Sequence, residues 1–110
     1  MNDMKIQSID FLIFDGFPMA CLTSMIEPLR AANEISGQVA FSWTLLAETM
    51  EKVRSSAGVS FEPDMALSQA QGPDHLFLLS PPMAQFSNPK AGYGALRTLG
   101  RHGTILGGVS

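Results

Sequence analysis

The chain has 110 residues, 45% apolar and only 15% charged, which suffices for one modest domain with a real core and not for two. Its net charge of −3 and seven scattered Lys and Arg residues offer no concentrated basic face for displacing counterions from phosphates, so DNA contact is expected only from another part of the polypeptide. The longest apolar runs, "FLIF" and "LFLL", are strand-sized rather than the roughly 20 residues that span a bilayer, and the start "MNDMKIQSID" lacks the features of a signal peptide, so a cytoplasmic protein without a membrane partner is expected.

Ser8 to Phe14, "SIDFLIF", reads as a buried strand that ends at the turn signal "DGFP". From Met19 the period changes. Met19, Leu22, Met25, Ile26, Leu29 and Ala32 fall at three- and four-residue steps, which predicts an amphipathic helix closed near Gly37, with a kink at Pro28. Ala40 to Glu48 predicts a second strand, with Phe41, Trp43 and Leu45 on one face. "KVRSS" and "GVSFEP" predict two short strands on either side of Gly58. "PDMALSQAQGPD" reads as a short helix or loop, and His75 to Ser80 as a buried strand stopped by Pro81 and Pro82. Tyr93, Leu96 and Leu99 mark a second helix, whose Arg101 and His102 suit a C-terminus before Gly103. "TILGGV" is the last strand.

Alternating strands and helices predict an α/β fold around a mainly parallel sheet, with any site at the carboxyl ends of the strands. Those ends are "DGFP", "SPP" and "GGVS". The single cysteine, Cys21, cannot close an internal disulfide, and no Cys/His spacing predicts a metal site. No cofactor motif is present either, since "GGVS" follows a strand without the GxGxxG or Walker spacing.

"FDGFPMACLTSMIEPLRAANEISG", "VRSSAGVSF" and "RHGTILGGVS", taken in order, resemble the N-terminal sensor domain of AraC-type transcriptional regulators. That sensor is ThiJ/PfpI-like and related to class I glutamine amidotransferases. The resemblance implies a flavodoxin-like α/β/α sandwich, of which residues 1–110 are the N-terminal part, and a helix-turn-helix DNA-binding domain further along, outside this chain. It also implies a homodimer that senses a small polar metabolite, an amino acid or a quaternary amine, and contacts DNA only through that second domain.

Enzymes of the superfamily place a nucleophile after the strand matching "ILGGV", where Ser110 stands here, but a serine needs a base and the chain shows none after it. They carry an acid on the first helix, where counting from Gly16 gives Cys21. They offer backbone N–H groups to an oxyanion after the strand matching "HLFLLS", where this chain has Pro81 and Pro82, which have no N–H, with Met83 the nearest substitute donor. The expectation is therefore no catalytic residue and a ligand pocket near Phe17, Cys21, Ser80, Pro82 and Ser110. Glu27 and Arg30 are candidates for a dimer interface. Two rivals are a free-standing ThiJ/PfpI-like hydrolase or glyoxalase-like enzyme using Ser110 or Cys21, and a dimerisation domain without ligand.

Overall fold

The computed structural model describes residues 5–109. Its centre is β1 (Gln7–Ile13), whose last five residues are all buried, as befits a strand covered on both faces. The chain crosses through α1 (Met19–Ser36) to β2 (Phe41–Ala47), which lies parallel beside β1. It continues through a hairpin of β3 (Val53–Arg54) and β4 (Ser60–Phe61) to β5 (Met65–Ala66) at the sheet edge. It then returns to the other side of β1 as β6 (His75–Leu79) and, after α2 (Pro89–Arg101), adds β7 (Ile105–Val109). The five-stranded sheet runs β5-β2-β1-β6-β7 and every pairing in it is parallel. Strand order thus reverses between β1 and β6, the position at which such sheets open a crevice.

The two-residue period of β1 divides the core. Ile9, Phe11 and Ile13 face one side, where they pack with Phe17, Leu22 and the apolar stripe of α1. Leu12 faces the other with Leu46, Leu76 and the α2 residues Leu96 and Leu99. Each fully buried side chain of this kind stabilises the fold by about 1.5–3 kcal/mol. Helices on opposite faces of one parallel sheet give the expected three-layer α/β/α arrangement.

α1 runs as one element through Pro28 to Gly37, whose φ of 70° is the left-handed cap expected there. Asn33 fastens its last turns to β2: the side-chain amide donates to the Phe41 carbonyl at 2.9 Å, and Oδ1 accepts from the Ala40 and Phe41 amides at 2.8 and 3.0 Å. β2 keeps the predicted alternation, with Phe41, Trp43 and Leu45 on the α1 side and Leu46 on the other. The segment between Pro63 and Pro73 departs from the helix-or-loop expectation. Met65 and Ala66 pair with Leu46 and Ala47 before a 3₁₀ turn at Leu67–Gln69. Two residues are too few to display alternation, so this strand exists because Asp64 aligns it: its N–H donates to the Leu45 carbonyl at 2.7 Å and its Oδ2 accepts from the Leu45 amide at 2.8 Å. Among the described residues no helix is long and apolar enough to cross a membrane.

Candidate functional site

A cavity of about 380 Å³ lies across the carboxyl ends of β1 and β2 and the segment after β6. Its floor is Ile13 and Ala47, its far wall Glu51–Val53, and its lip Pro81–Gln85. Three short segments build it, and each owes its shape to local sequence.

The first is the turn leaving β1. Gly16, at φ 84°, lets the Phe17 amide return to the Phe14 carbonyl at 2.9 Å. A Cβ on Gly16 would also meet Pro81 Cγ at 3.2 Å, so this turn and the β6 exit are in near contact. The second is the β3–β4 hairpin. The Gly16 amide donates to the Arg54 carbonyl at 2.7 Å, the Ser56 amide to the Phe17 carbonyl at 2.9 Å, and the Arg54 amide to Asp15 Oδ1 at 3.1 Å. The buried Ser55 hydroxyl accepts from the Ala57 and Val59 amides at 3.3 and 3.2 Å and so shapes the tip around Gly58. This explains the "SSAG" run in physical terms.

The third segment is the lip. The Ala84 amide donates to the Pro81 carbonyl at 3.3 Å, and Met83 has φ 68°. Pro82 and Met83 are therefore the central residues of a type II turn, with a methionine where glycine is favoured. Met83 is 93% exposed, so packing does not repay this strain. Met83→Gly is expected to stabilise the chain by about 0.5–1 kcal/mol, the relief of the left-handed φ less glycine's entropy, as measured by urea denaturation.

Four charged side chains surround the space: Asp15, Glu48, Glu51 and Lys52. Glu48 is committed, because Oε1 accepts from the Ser87 amide at 2.8 Å and Oε2 from the Asn88 amide at 3.0 Å. It thereby caps the approach to α2, while Asn88 itself accepts from the Ala91 amide at 3.2 Å. Glu48→Ala is expected to cost about 1.5–3 kcal/mol, the range for hydrogen bonds to a charged group, with faster hydrogen exchange at the Ser87 and Asn88 amides. Glu51 and Lys52 are exposed and, with Asp15, make the rim polar.

The predicted ligand residues are not all brought together. Pro82 lines the cavity. Phe17 does not: its ring is 0% exposed and packs edge-on against Phe61, with centroids 5.1 Å apart. Cys21 is half-buried against the same α1-side cluster, and the Ser80 amide donates to the Val109 carbonyl at 3.3 Å. Ser110 lies outside the described residues. Asp15, Glu48 and Lys52 were not anticipated as lining residues. The only sequence signal for them is that they lie just beyond the strands "FLIF" and "TLLA".

The lip also limits the chemistry. The Ser80 and Ala84 amides are spent, and Pro81 and Pro82 have none, which leaves the Met83 and Gln85 amides as the lip's uncommitted donors among the described residues. Both histidines sit at the opposite end of the sheet. His75 begins β6, about 13 Å along the strand from Leu79, and His102 caps α2 with Nδ1 2.7 Å from the Thr98 carbonyl oxygen. On the outer surface of α1, Arg30 bridges Glu27, at 2.8 Å, and Glu34. All three are exposed, and such pairs contribute under about 1 kcal/mol.

No family model matches the chain. Over 103 residues it is 33% identical to the HTH-type transcriptional regulator GbdR of Pseudomonas aeruginosa, an alignment covering 94% of this chain and 28% of that protein. The chain thus spans less than a third of the length of that curated relative. Among solved structures, an AraC family transcriptional regulator from Pseudomonas putida superposes with a TM-score of 0.78 at 23% identity, over 93% of this chain and 55% of that one. A DJ-1 superfamily protein from Agrobacterium tumefaciens superposes with a TM-score of 0.62 at 12% identity, over 94% and 53%. The fold is that of the DJ-1/ThiJ/PfpI group, and the curated homologues are HTH-type transcriptional regulators.

Proposed function

We propose that this chain, whose homologues are transcriptional regulators, is the metabolite-sensing part of an AraC-type regulator and binds its ligand without transforming it. One observation carries the non-catalytic reading: the segment after β6, where related enzymes stabilise an oxyanion, carries two consecutive prolines. The cavity beside it is polar at the rim and apolar at the floor, the usual design of a small-molecule site. Its ligand is a small polar metabolite, with amino acids and quaternary amines as the first classes to test. Ligand binding shifts the population of dimer arrangements, with Glu27 and Arg30 on the exposed face of α1 as interface candidates. DNA is contacted by a separate helix-turn-helix domain, in the cytoplasm.

A thermal-shift panel of amino acids and methylated amines tests this reading. A ligand specific to the native state at 100 times its Kd raises stability by about 2.7 kcal/mol, or roughly 10–20 °C for a domain of this size. The expected hit loses its effect when Lys52 and Glu51 are replaced together by alanine. Hydrolysis of esters or consumption of methylglyoxal, abolished by Cys21→Ala or Ser110→Ala, would instead establish an enzyme.

A further inference from the structure

A second cavity, of about 270 Å³, opens nearer the amino-terminal half of the strands. Its wall is Ser8 and Asp10 of β1, Thr44 of β2 and Met65 of β5, closed by the segment from Gln71 to Pro73. Asp10 is the unexpected member. It sits in the middle of the central strand, 6% exposed, with Thr44 and Leu76 as its register neighbours on the same face. An ionised carboxyl in such a place requires donors or a cation.

The walls hold no cation, the Thr44 hydroxyl and Gln71 side-chain amide being the neutral donors that line them, and the other groups nearby are engaged elsewhere. The Ser8 amide and hydroxyl both donate to Asp74 Oδ2, at 2.8 and 3.2 Å, and Lys5 Nζ lies 3.9 Å from Asp74 Oδ1. The Leu45 amide donates to Asp64. Among the described residues, Asp10 is left facing the cavity without a donor of its own. Burial, reinforced by the Asp64 carboxylate, pushes its pKa up to about 6.

We propose that this cavity is a binding site for a primary ammonium group on a short alkyl chain, with the Asp10 carboxylate as counter-ion and the Thr44 hydroxyl as second acceptor. The choice follows from what the walls lack. Asp10 and Thr44 present acceptors, and an ammonium supplies three N–H donors together with the missing positive charge. A quaternary ammonium has no N–H and donates to neither acceptor. A divalent metal finds no group of three or more His, Cys, Asp or Glu among the described residues. Met65 and Pro73, which line the cavity, give the alkyl chain an apolar wall. Asp64 adds to the negative potential that draws a cation in. The site is separate from the cavity at the carboxyl ends of the strands and stands whatever that cavity binds.

The test is a titration of n-butylammonium chloride into the full ¹⁵N-labelled chain at neutral pH, followed by amide chemical shifts. A parallel titration uses tetramethylammonium chloride at matched ionic strength. Saturable shifts at Ser8, Asp10, Thr44 and Gly72 are expected with butylammonium and not with tetramethylammonium. Asp10→Asn, which keeps the shape and removes the charge, is expected to weaken binding at least about ten-fold. No saturable shift overturns the assignment. So does an equal response from tetramethylammonium, or undiminished binding by D10N.

Discussion

Asp10→Asn is expected to make the chain more stable at pH 8 by about 1–3 kcal/mol and to flatten its stability between pH 4 and pH 7. Asp10 has its pKa raised from 3.8 to about 6, first by burial and second by the Asp64 carboxylate. Between those two values the folded state holds a proton that the unfolded state has released, so stability falls as pH rises through this window and is level above it. Each unit of pKa shift corresponds to about 1.4 kcal/mol, which sets a ceiling near 3 kcal/mol. Asparagine abolishes the titration but still buries an amide, so the gain lies below that ceiling. Urea midpoints at unit pH intervals measure it. A wild-type stability that climbs steadily from pH 4 to pH 7, or a variant weaker than wild type at pH 8, contradicts the account.

Gly92→Ala is expected to destabilise the chain by about 2–3 kcal/mol, although alanine is the better helix former by about 1 kcal/mol. Gly92 lies in the buried face of α2, and a Cβ there would collide with Phe86 Cγ and come within 2.5 Å of both Cδ atoms. These are the root of the ring and cannot swing aside. Phe86 is also held edge-on by Phe14 and Tyr93, with centroids at 5.2 and 5.3 Å. Gly94→Ala, two residues on, is the control. Its nearest neighbour is Arg97 Nη2 at 4.0 Å, so propensity decides and a gain of about 0.5–1 kcal/mol is expected. Thermal denaturation of the pair separates sterics from propensity, and equal midpoints contradict the packing argument.

What could be read without coordinates followed from how strongly each segment signals. β1, α1, β2, β6 and α2 were legible because period and punctuation agree, as in "SIDFLIF" before "DGFP" and Gly37 after the α1 stripe. β5 was not, since Met65 and Ala66 are held by Asp64 and Leu45 across the sheet, a non-local arrangement that leaves no local pattern. The candidate cavity lies at strand ends that the sequence marks, while most of its lining residues carry no such mark. The strand ends "DGFP" and "SPP" border the cavity and Pro82 lines it, but Phe17, named beside it, does not. Its burial under Phe61 arises from a hairpin 36 or more residues further along the chain. Glu48 gave no warning because its partners, Ser87 and Asn88, are 39 and 40 residues away. Asp10 was hidden for a different reason: an acid inside an apolar run reads as an ordinary strand residue until the space beside it is seen.

The two sides of the carboxyl-end cavity differ in mechanical character. On one side, Asp15, Gly16 and Phe17 clasp the Arg54–Ser56 backbone through three separate hydrogen bonds, so that bank has little play. On the other, the diproline turn carries one internal bond of 3.3 Å and a residue already held in an unfavourable backbone well. Any change in the width of the cavity therefore falls on Pro81–Ala84, while the clasped bank keeps its shape.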